Sequence, residues 1–101
     1  MKEVRRAPPS GPYRLRFTES YVRVALRFLK RHPDLVRQYA KTLALVEANP
    51  NHASLRLHAL AGKHKGLHSV SINLSYRITL EFLIEDQLIT PINVGDHDAM
   101  Y

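Results

Sequence analysis

The fold is decided by a stretch in the last third of the chain, residues 68–94, which reads HSVSINLSYRITLEFLIEDQLITPINV. Its first part, residues 68–73, alternates polar and apolar side chains, which is the period-2 pattern of a half-buried strand. Residues 76–84 and 88–94 are rich in β-branched and aromatic side chains, and they predict two more strands around a turn at 85–87. Because the links are short, we expect an antiparallel meander.

Two amphipathic helices are predicted before these strands. Residues 13–17 alternate apolar and basic side chains, which indicates a short strand, and Thr18 can cap the helix that follows it. The apolar residues of this first helix recur at helical spacing and are expected to face the core: Val22, Ala25, Leu26 and Leu29. Pro33 suits the first turn of a second helix, which Asn49-Pro50 ends.

The arrangement predicts an α+β fold in a single domain. We expect an N-terminal strand and an antiparallel two-helix hairpin packed on a mostly antiparallel sheet of about four strands. Pro91 suggests that the last strand has an edge position or a bulge. Residues 51–66 are expected to be irregular, and residues 1–11 are expected to form a flexible leader before a domain at 12–101.

Composition narrows the class of protein. The chain has 101 residues, enough for one core, and no cysteine, which excludes disulfides and thiolate metal sites. No apolar run approaches the roughly 20 residues that span a bilayer, so we expect a cytoplasmic protein without a membrane partner. The formal net charge of +6 favours a polyanionic partner, either a nucleic acid or an acidic protein.

Three segments of the chain form a recognisable set: Leu57-His58-Ala59-Leu60-Ala61-Gly62, then Ser75-Tyr76-Arg77-Ile78, then Ile92-Asn93-Val94-Gly95-Asp96-His97-Asp98-Ala99-Met100-Tyr101. In order and separation they resemble the RelE/ParE toxin superfamily, particularly its RelE-type and YafQ-type mRNA interferases. The resemblance implies a type II toxin-antitoxin system toxin with the RelE-like fold. It also implies a ribosome-dependent endoribonuclease that cuts mRNA and is neutralised by a cognate antitoxin.

Cleavage of RNA by its own 2′-hydroxyl needs a base, an acid and a cation that stabilises the phosphorane. His97 can serve as acid or base near neutral pH, and the resemblance places it in a family Gly-x-His motif. Arg77, which matches the Arg of a RelE-type Tyr-Arg motif, can grip two phosphate oxygens, although it could instead pair with Glu81.

The resemblance implies further site residues. Tyr101 matches a family aromatic position and could stack on a base, orient the 2′-hydroxyl or act as an acid. His58 matches a YafQ-type histidine, and the acid and base roles could be divided between it and His97 in either order. The expected RNA-binding residues are a basic cluster and a strand tyrosine that could also simply pack: Lys63, His64, Lys65 and Tyr76.

No cofactor, metal or small-molecule ligand is expected. The six histidines form no metal-binding grid, and His64 and His68 lie on either side of Gly66. Two other readings remain open. One is a ParE-like toxin that inhibits DNA gyrase without a nuclease site, and the other is a catalytically inactive basic interaction module.

Overall fold

The structure, a computed structural model, describes residues 12–96, so the expected leader at 1–11 lies outside the described residues. Two α-helices and five β-strands form this part of the chain. In chain order they are β1 (Arg14–Leu15), α1 (Glu19–Arg31), α2 (Val36–Ala48), β2 (His58–Ala59), β3 (His68–Ser71), β4 (Tyr76–Leu83) and β5 (Leu88–Asp96).

The strands form one sheet in the order β1-β5-β4-β3-β2. β1 runs parallel to β5, and the other neighbours are antiparallel. The predicted α+β class and the mostly antiparallel sheet are therefore confirmed. β2 is an additional strand within residues 51–66, which were expected to be irregular. Because β2 has two residues, it is too short for an alternating pattern to reveal it.

Pro91 lies in an interior strand, because β5 pairs with β4 on one side and β1 on the other. The bulge alternative is confirmed, and because β1 pairs only with the start of β5, the side of β5 at Pro91 is also an open edge within the described chain. The register between β4 and β5 shifts after Thr79, and Ile92 is the extra residue. Within the described chain, β1 pairs only with the first two residues of β5. The missing N–H of the proline therefore costs no bond to β1.

The helix ends follow the signals in the sequence. Thr18 caps α1 as predicted, since its hydroxyl oxygen accepts a hydrogen bond from the backbone N–H of Tyr21. Pro33 opens a 3₁₀ turn that runs directly into α2, and α2 ends before Asn49-Pro50. Neither helix is long and apolar enough to cross a bilayer.

The expected core stripe of α1 is partly wrong. Ala25 is buried as predicted, but Leu26 is 63% exposed and Val22 is also exposed. Phe28 is buried, and its ring contacts Tyr76 of β4 at a centroid distance of 5.2 Å. α1 thus carries apolar residues on two sides, and only one of them packs on the sheet.

The core lies between this side of α1, α2 and one face of the sheet. The sheet contributes buried aliphatic residues to it: Val70, Ile78, Leu80, Ile89 and Val94. Tyr21 of α1 and Tyr39 of α2 hydrogen-bond through their hydroxyls inside the core. Burial raises the pKa of both phenols, so both remain neutral and the bond between them persists at any physiological pH.

Candidate active site on the polar face of the sheet

The face of the sheet that does not carry the core residues has polar side chains, and at its margin Ser71 borders a cavity together with Thr42 and Leu45 of α2. This polar face consists of His58, Ser69, Ser71, Arg77, Thr79, Glu81, Thr90 and Asn93. Residues paired directly across strands share a face. His58, Ser69 and Thr79 therefore form one row across β2, β3 and β4. Ser71 and Arg77 form the next row, two residues further along.

Arg77 is held at this face with part of its donor capacity unused. Its Nη1 donates to Ser71 Oγ at 3.0 Å, while its Nε is buried and has no hydrogen-bond partner. Within the described residues the structure records no ion pair between Arg77 and Glu81. The Nε itself is enclosed, so an anion would approach the outer nitrogens of the guanidinium, whose planar fork matches phosphate oxygens.

His58 lies on the same face as Arg77. With strands about 4.8 Å apart and residues about 3.4 Å apart along a strand, their Cα atoms are about 12 Å from each other. Both side chains rise from the same face of the sheet. His58 is exposed, and its Nδ1 is 3.1 Å from the backbone carbonyl oxygen of Arg56.

Two hydroxyls on the polar face are buried without a hydrogen-bond partner. They belong to Ser69, which is fully buried, and to Thr90, which is 3% exposed. An unsatisfied buried polar group costs about 1–3 kcal/mol. Sequence reasoning did not single out Ser69, Ser71 or Thr90. The alternation at 68–73 already placed the two serines on one face, but nothing in it indicated that they would be buried.

The basic cluster occupies the connection between β2 and β3. A 3₁₀ turn at Gly62–His64 forms there, with Gly62 at a φ of +66° that glycine adopts without strain. Lys63 and Lys65 are exposed, whereas His64 is half-buried. β2 is the edge strand that carries His58. The two lysines follow β2 in the chain and therefore lie near the same edge of the sheet as that histidine.

Tyr76 lies on the opposite face from Arg77. Its ring contacts Phe28 and His32 of the helical layer, the latter at a centroid distance of 4.7 Å. The structure therefore separates Tyr76 from the other expected RNA-binding residues, and its contacts favour the packing alternative. Alternation along β4 explains this, since neighbouring strand residues point to opposite faces.

His97 and Tyr101 lie outside the described residues. The last described residue, Asp96, pairs with Tyr76, and Gly95 pairs with Arg77. In the sequence, His97 directly follows Asp96. Its role and that of Tyr101 remain predictions.

His68 is half-buried at the edge between the sheet and the core. Its ring meets Phe82 edge-on at 5.1 Å. Burial lowers the pKa of His68, and the nearby His58 lowers it further. Within residues 12–96, no group of three His, Asp or Glu side chains could hold a metal ion.

No family model matches the sequence, and no curated protein matches it. Solved structures do match. YafQ from E. coli strain BL21(DE3) is 18% identical with a TM-score of 0.66, and the match covers 88% of this chain and 98% of that one. The YoeB/ParE toxin from Agrobacterium tumefaciens is 19% identical with a TM-score of 0.68, and the match covers 83% and 98%.

A third similar structure is the toxin-antitoxin complex RelBE2 from Mycobacterium tuberculosis. The match is 19% identical with a TM-score of 0.67, and it covers 90% of this chain and 98% of the matched chain. All three matches extend over nearly the whole length of the matched chains. The described chain therefore has the RelE/ParE toxin fold, as the resemblance in its sequence implied.

Proposed function

We propose that this protein is the toxin of a type II toxin-antitoxin system and that it cleaves mRNA on the ribosome. The observation that carries the proposal is the polar face, where His58 and the partly unsatisfied guanidinium of Arg77 share one side of a toxin-like sheet. A base and a phosphate-binding cation on one surface are two of the three groups that RNA cleavage requires.

The reaction uses the RNA's own 2′-hydroxyl as the nucleophile. A base removes the 2′ proton, the 2′ oxygen attacks phosphorus, and the bond from phosphorus to the 5′ oxygen breaks. The leaving 5′ oxygen takes a proton from an acid, and the upstream RNA ends in a 2′,3′-cyclic phosphate. Arg77 stabilises the phosphorane, whose extra negative charge exists only in the transition state.

The remaining roles follow the family resemblance. His97 supplies the second histidine for acid-base chemistry, and Tyr101 contacts the RNA or orients its 2′-hydroxyl. The exposed Lys63 and Lys65 support binding of an RNA backbone beside His58, since lysines contact phosphates without reading sequence. No cofactor takes part in this scheme.

The partner proposed for the helical side is the acidic amphipathic helix of an antitoxin. An apolar groove of about 210 Å³ lies between α1 and α2, lined by Phe17, Tyr21, Val22, Ala25, Leu26, Leu29, Tyr39 and Leu43. Arg23 and Lys30 flank the exposed Leu26 at the helical spacings i−3 and i+4. This basic rim favours an acidic helix over a second copy of a chain whose net charge is +6.

Leu26→Glu tests the groove, with Leu74→Glu as the control, because Leu74 is 82% exposed and lies in the turn between β3 and β4. The probe is a labelled amphipathic helical peptide with a leucine stripe and glutamates elsewhere. We expect Leu26→Glu alone to weaken its binding at least about tenfold, or about 1.4 kcal/mol. Equal binding of a peptide with lysines in place of the glutamates would contradict the proposed acidic partner.

The main test of the function maps the 5′ ends of mRNA after induction, comparing wild type with His97→Ala. The proposal predicts new 5′ ends within coding sequences for wild type and their loss in the variant, together with relief of growth arrest. A ParE-like toxin is the second candidate, because the YoeB/ParE toxin shares this fold. Growth arrest that persists in His97→Ala, with blocked DNA supercoiling and no new 5′ ends, would establish that alternative.

A further inference from the structure

The guanidinium of Arg77 is held by a neutral group on the neighbouring strand. Ser71 of β3 pairs directly with Arg77 of β4, so the two side chains rise side by side from the polar face. Nη1 of Arg77 donates to the hydroxyl oxygen of Ser71 at 3.0 Å. The serine side chain is short and only 8% exposed, so the position of its oxygen follows the backbone of β3.

Two nitrogens of the guanidinium are thereby restrained. Nη1 of Arg77 is bonded to Ser71, and Nε is enclosed by the protein without a hydrogen-bond partner. Because the guanidinium is planar and rigid, the position of these two nitrogens also determines the directions of the other N–H groups, on Nη1 and Nη2. Those N–H groups are the ones that a phosphate can approach.

A hydroxyl orients the guanidinium without neutralising its charge. Glu81 lies on the same face two residues further along β4, yet no ion pair joins it to Arg77 within residues 12–96. A carboxylate in that position would compete with a phosphate for the same N–H groups. Ser71 is neutral, so the positive charge of Arg77 stays available to the charge that develops on the phosphorane.

We propose that Ser71 is a positioning residue, which fixes the plane of the Arg77 guanidinium so that its outer N–H groups face the phosphate before RNA binds. This inference rests on the proposed nuclease function. In this role Ser71 neither touches the RNA nor transfers a proton, and it acts through Arg77. Donors that are already oriented need no rearrangement as charge develops, so the benefit falls on the transition state. Loss of the Ser71 hydroxyl should therefore lower kcat and leave KM unchanged.

The first test compares Ser71→Thr with Ser71→Val. Threonine and valine have nearly the same shape, so this pair of variants differs in the hydroxyl. The added methyl group has space, because Ser71 borders a cavity of about 140 Å³ beside α2. In single-turnover cleavage of ribosome-bound mRNA, we expect Ser71→Thr to keep the wild-type rate. Ser71→Val should lose about 10- to 100-fold, because a small misplacement of a catalytic group costs up to about 100-fold.

Thr42→Val controls for a loss of stability. Thr42 of α2 is buried and lines the same cavity, and its hydroxyl donates to the backbone carbonyl oxygen of Gln38. The variant loses a buried hydroxyl that has no contact with Arg77, so the fold should be weakened while the cleavage rate stays at that of wild type. If Thr42→Val lost as much rate as Ser71→Val, the loss would follow stability and the positioning role would be overturned.

The second test measures the guanidinium of Arg77 without RNA. A hydrogen bond from Nη1 to Ser71 slows rotation about the Nε–Cζ bond, which ¹⁵N NMR detects as separate signals for Nη1 and Nη2. Their absence in Arg77→Lys assigns these signals. We expect separate signals in wild type and in Ser71→Thr, and a merged signal in Ser71→Val. A merged signal in wild type overturns the proposal.

The outcomes separate this inference from the proposed function. A wild-type cleavage rate in a folded Ser71→Val variant overturns the positioning role and leaves the nuclease function intact. A change in KM alone has the same consequence, because it would place Ser71 in ground-state binding. Absence of RNA cleavage by wild type overturns the nuclease function, and the catalytic part of this inference fails with it. The ¹⁵N signals judge the orientation of Arg77 in either case.

Discussion

The face of the sheet that packs on the helices and the polar face differ in how completely their groups are satisfied. The first face buries Ile78 and Leu80 completely among other apolar side chains. The second buries the hydroxyl of Ser69 and the Nε of Arg77 with no hydrogen-bond partner. Closely packed apolar contacts stabilise a fold, whereas unsatisfied polar groups weaken it. The helix-packed face maintains the fold, and the unsatisfied groups support the proposal that the polar face serves binding and chemistry.

The largest expected effect is on stability, from Ile78→Ala on the helix-packed face. Deleting a fully buried isoleucine side chain should lower the free energy of unfolding by about 2–5 kcal/mol, since it removes apolar contacts and leaves a cavity. The neighbouring Thr79, on the polar face, is also buried but loses a smaller side chain, so Thr79→Ala should lower the free energy of unfolding by only about 0.5–1.5 kcal/mol. Denaturant unfolding measures both, and equal losses would contradict the proposed division between the faces.

A smaller effect of opposite sign is expected for Ser69→Ala. The substitution removes a buried hydroxyl that has no partner, so the free energy of unfolding should rise by up to about 1 kcal/mol. The control is Ser71→Ala, which removes the acceptor of an Arg77 N–H and should destabilise the fold. Denaturant unfolding measures the free energy of unfolding of both serine variants against wild type. A clear loss of stability in Ser69→Ala would mean that its hydroxyl is satisfied in solution.

The smallest expected effect is the pH dependence contributed by His68. Burial lowers its folded-state pKa below the ordinary value of 6.5, so the unfolded chain binds a proton more readily than the folded one. The contribution of neutral His68 to the free energy of unfolding is fully present above pH 6.5, and it is lost as the pH falls from there towards the folded-state pKa. His68→Gln should flatten the dependence of the unfolding free energy on pH. The exposed His52 provides the control His52→Gln, which should leave the His68 contribution unchanged.

Much of the fold could be predicted because its signals are local. These signals act within a few residues: the alternation of β3, the β-branched and aromatic residues of β4, the Thr18 cap, and Asn49-Pro50 after α2. The errors concern tertiary context. Leu26 fits a helical stripe, but the sheet packs against another side of α1. Pro91 was expected at an edge or a bulge, and the structure shows that it lies beside a bulge and beyond the end of β1.

The candidate site could be predicted only in part for the same reason. Arg77 and His58 were identified from motifs, but their common face follows from the register of β2, β3 and β4, which no single motif encodes. The hydrogen bond from His58 to Arg56 depends on a left-handed backbone at a residue other than glycine. Sequence patterns rarely indicate such a conformation.

The central claim is that the guanidinium of Arg77 on the polar face acts in RNA cleavage. The most direct measurement is the single-turnover rate of cleavage of ribosome-bound mRNA by Arg77→Ala, with the exposed Arg37 of α2 providing the control Arg37→Ala. We predict a rate about 100- to 1,000-fold below wild type for Arg77→Ala, which is the usual effect of removing one stabilising donor from a developing charge. Arg37→Ala should cleave normally. A wild-type rate in a folded Arg77→Ala variant would contradict the account.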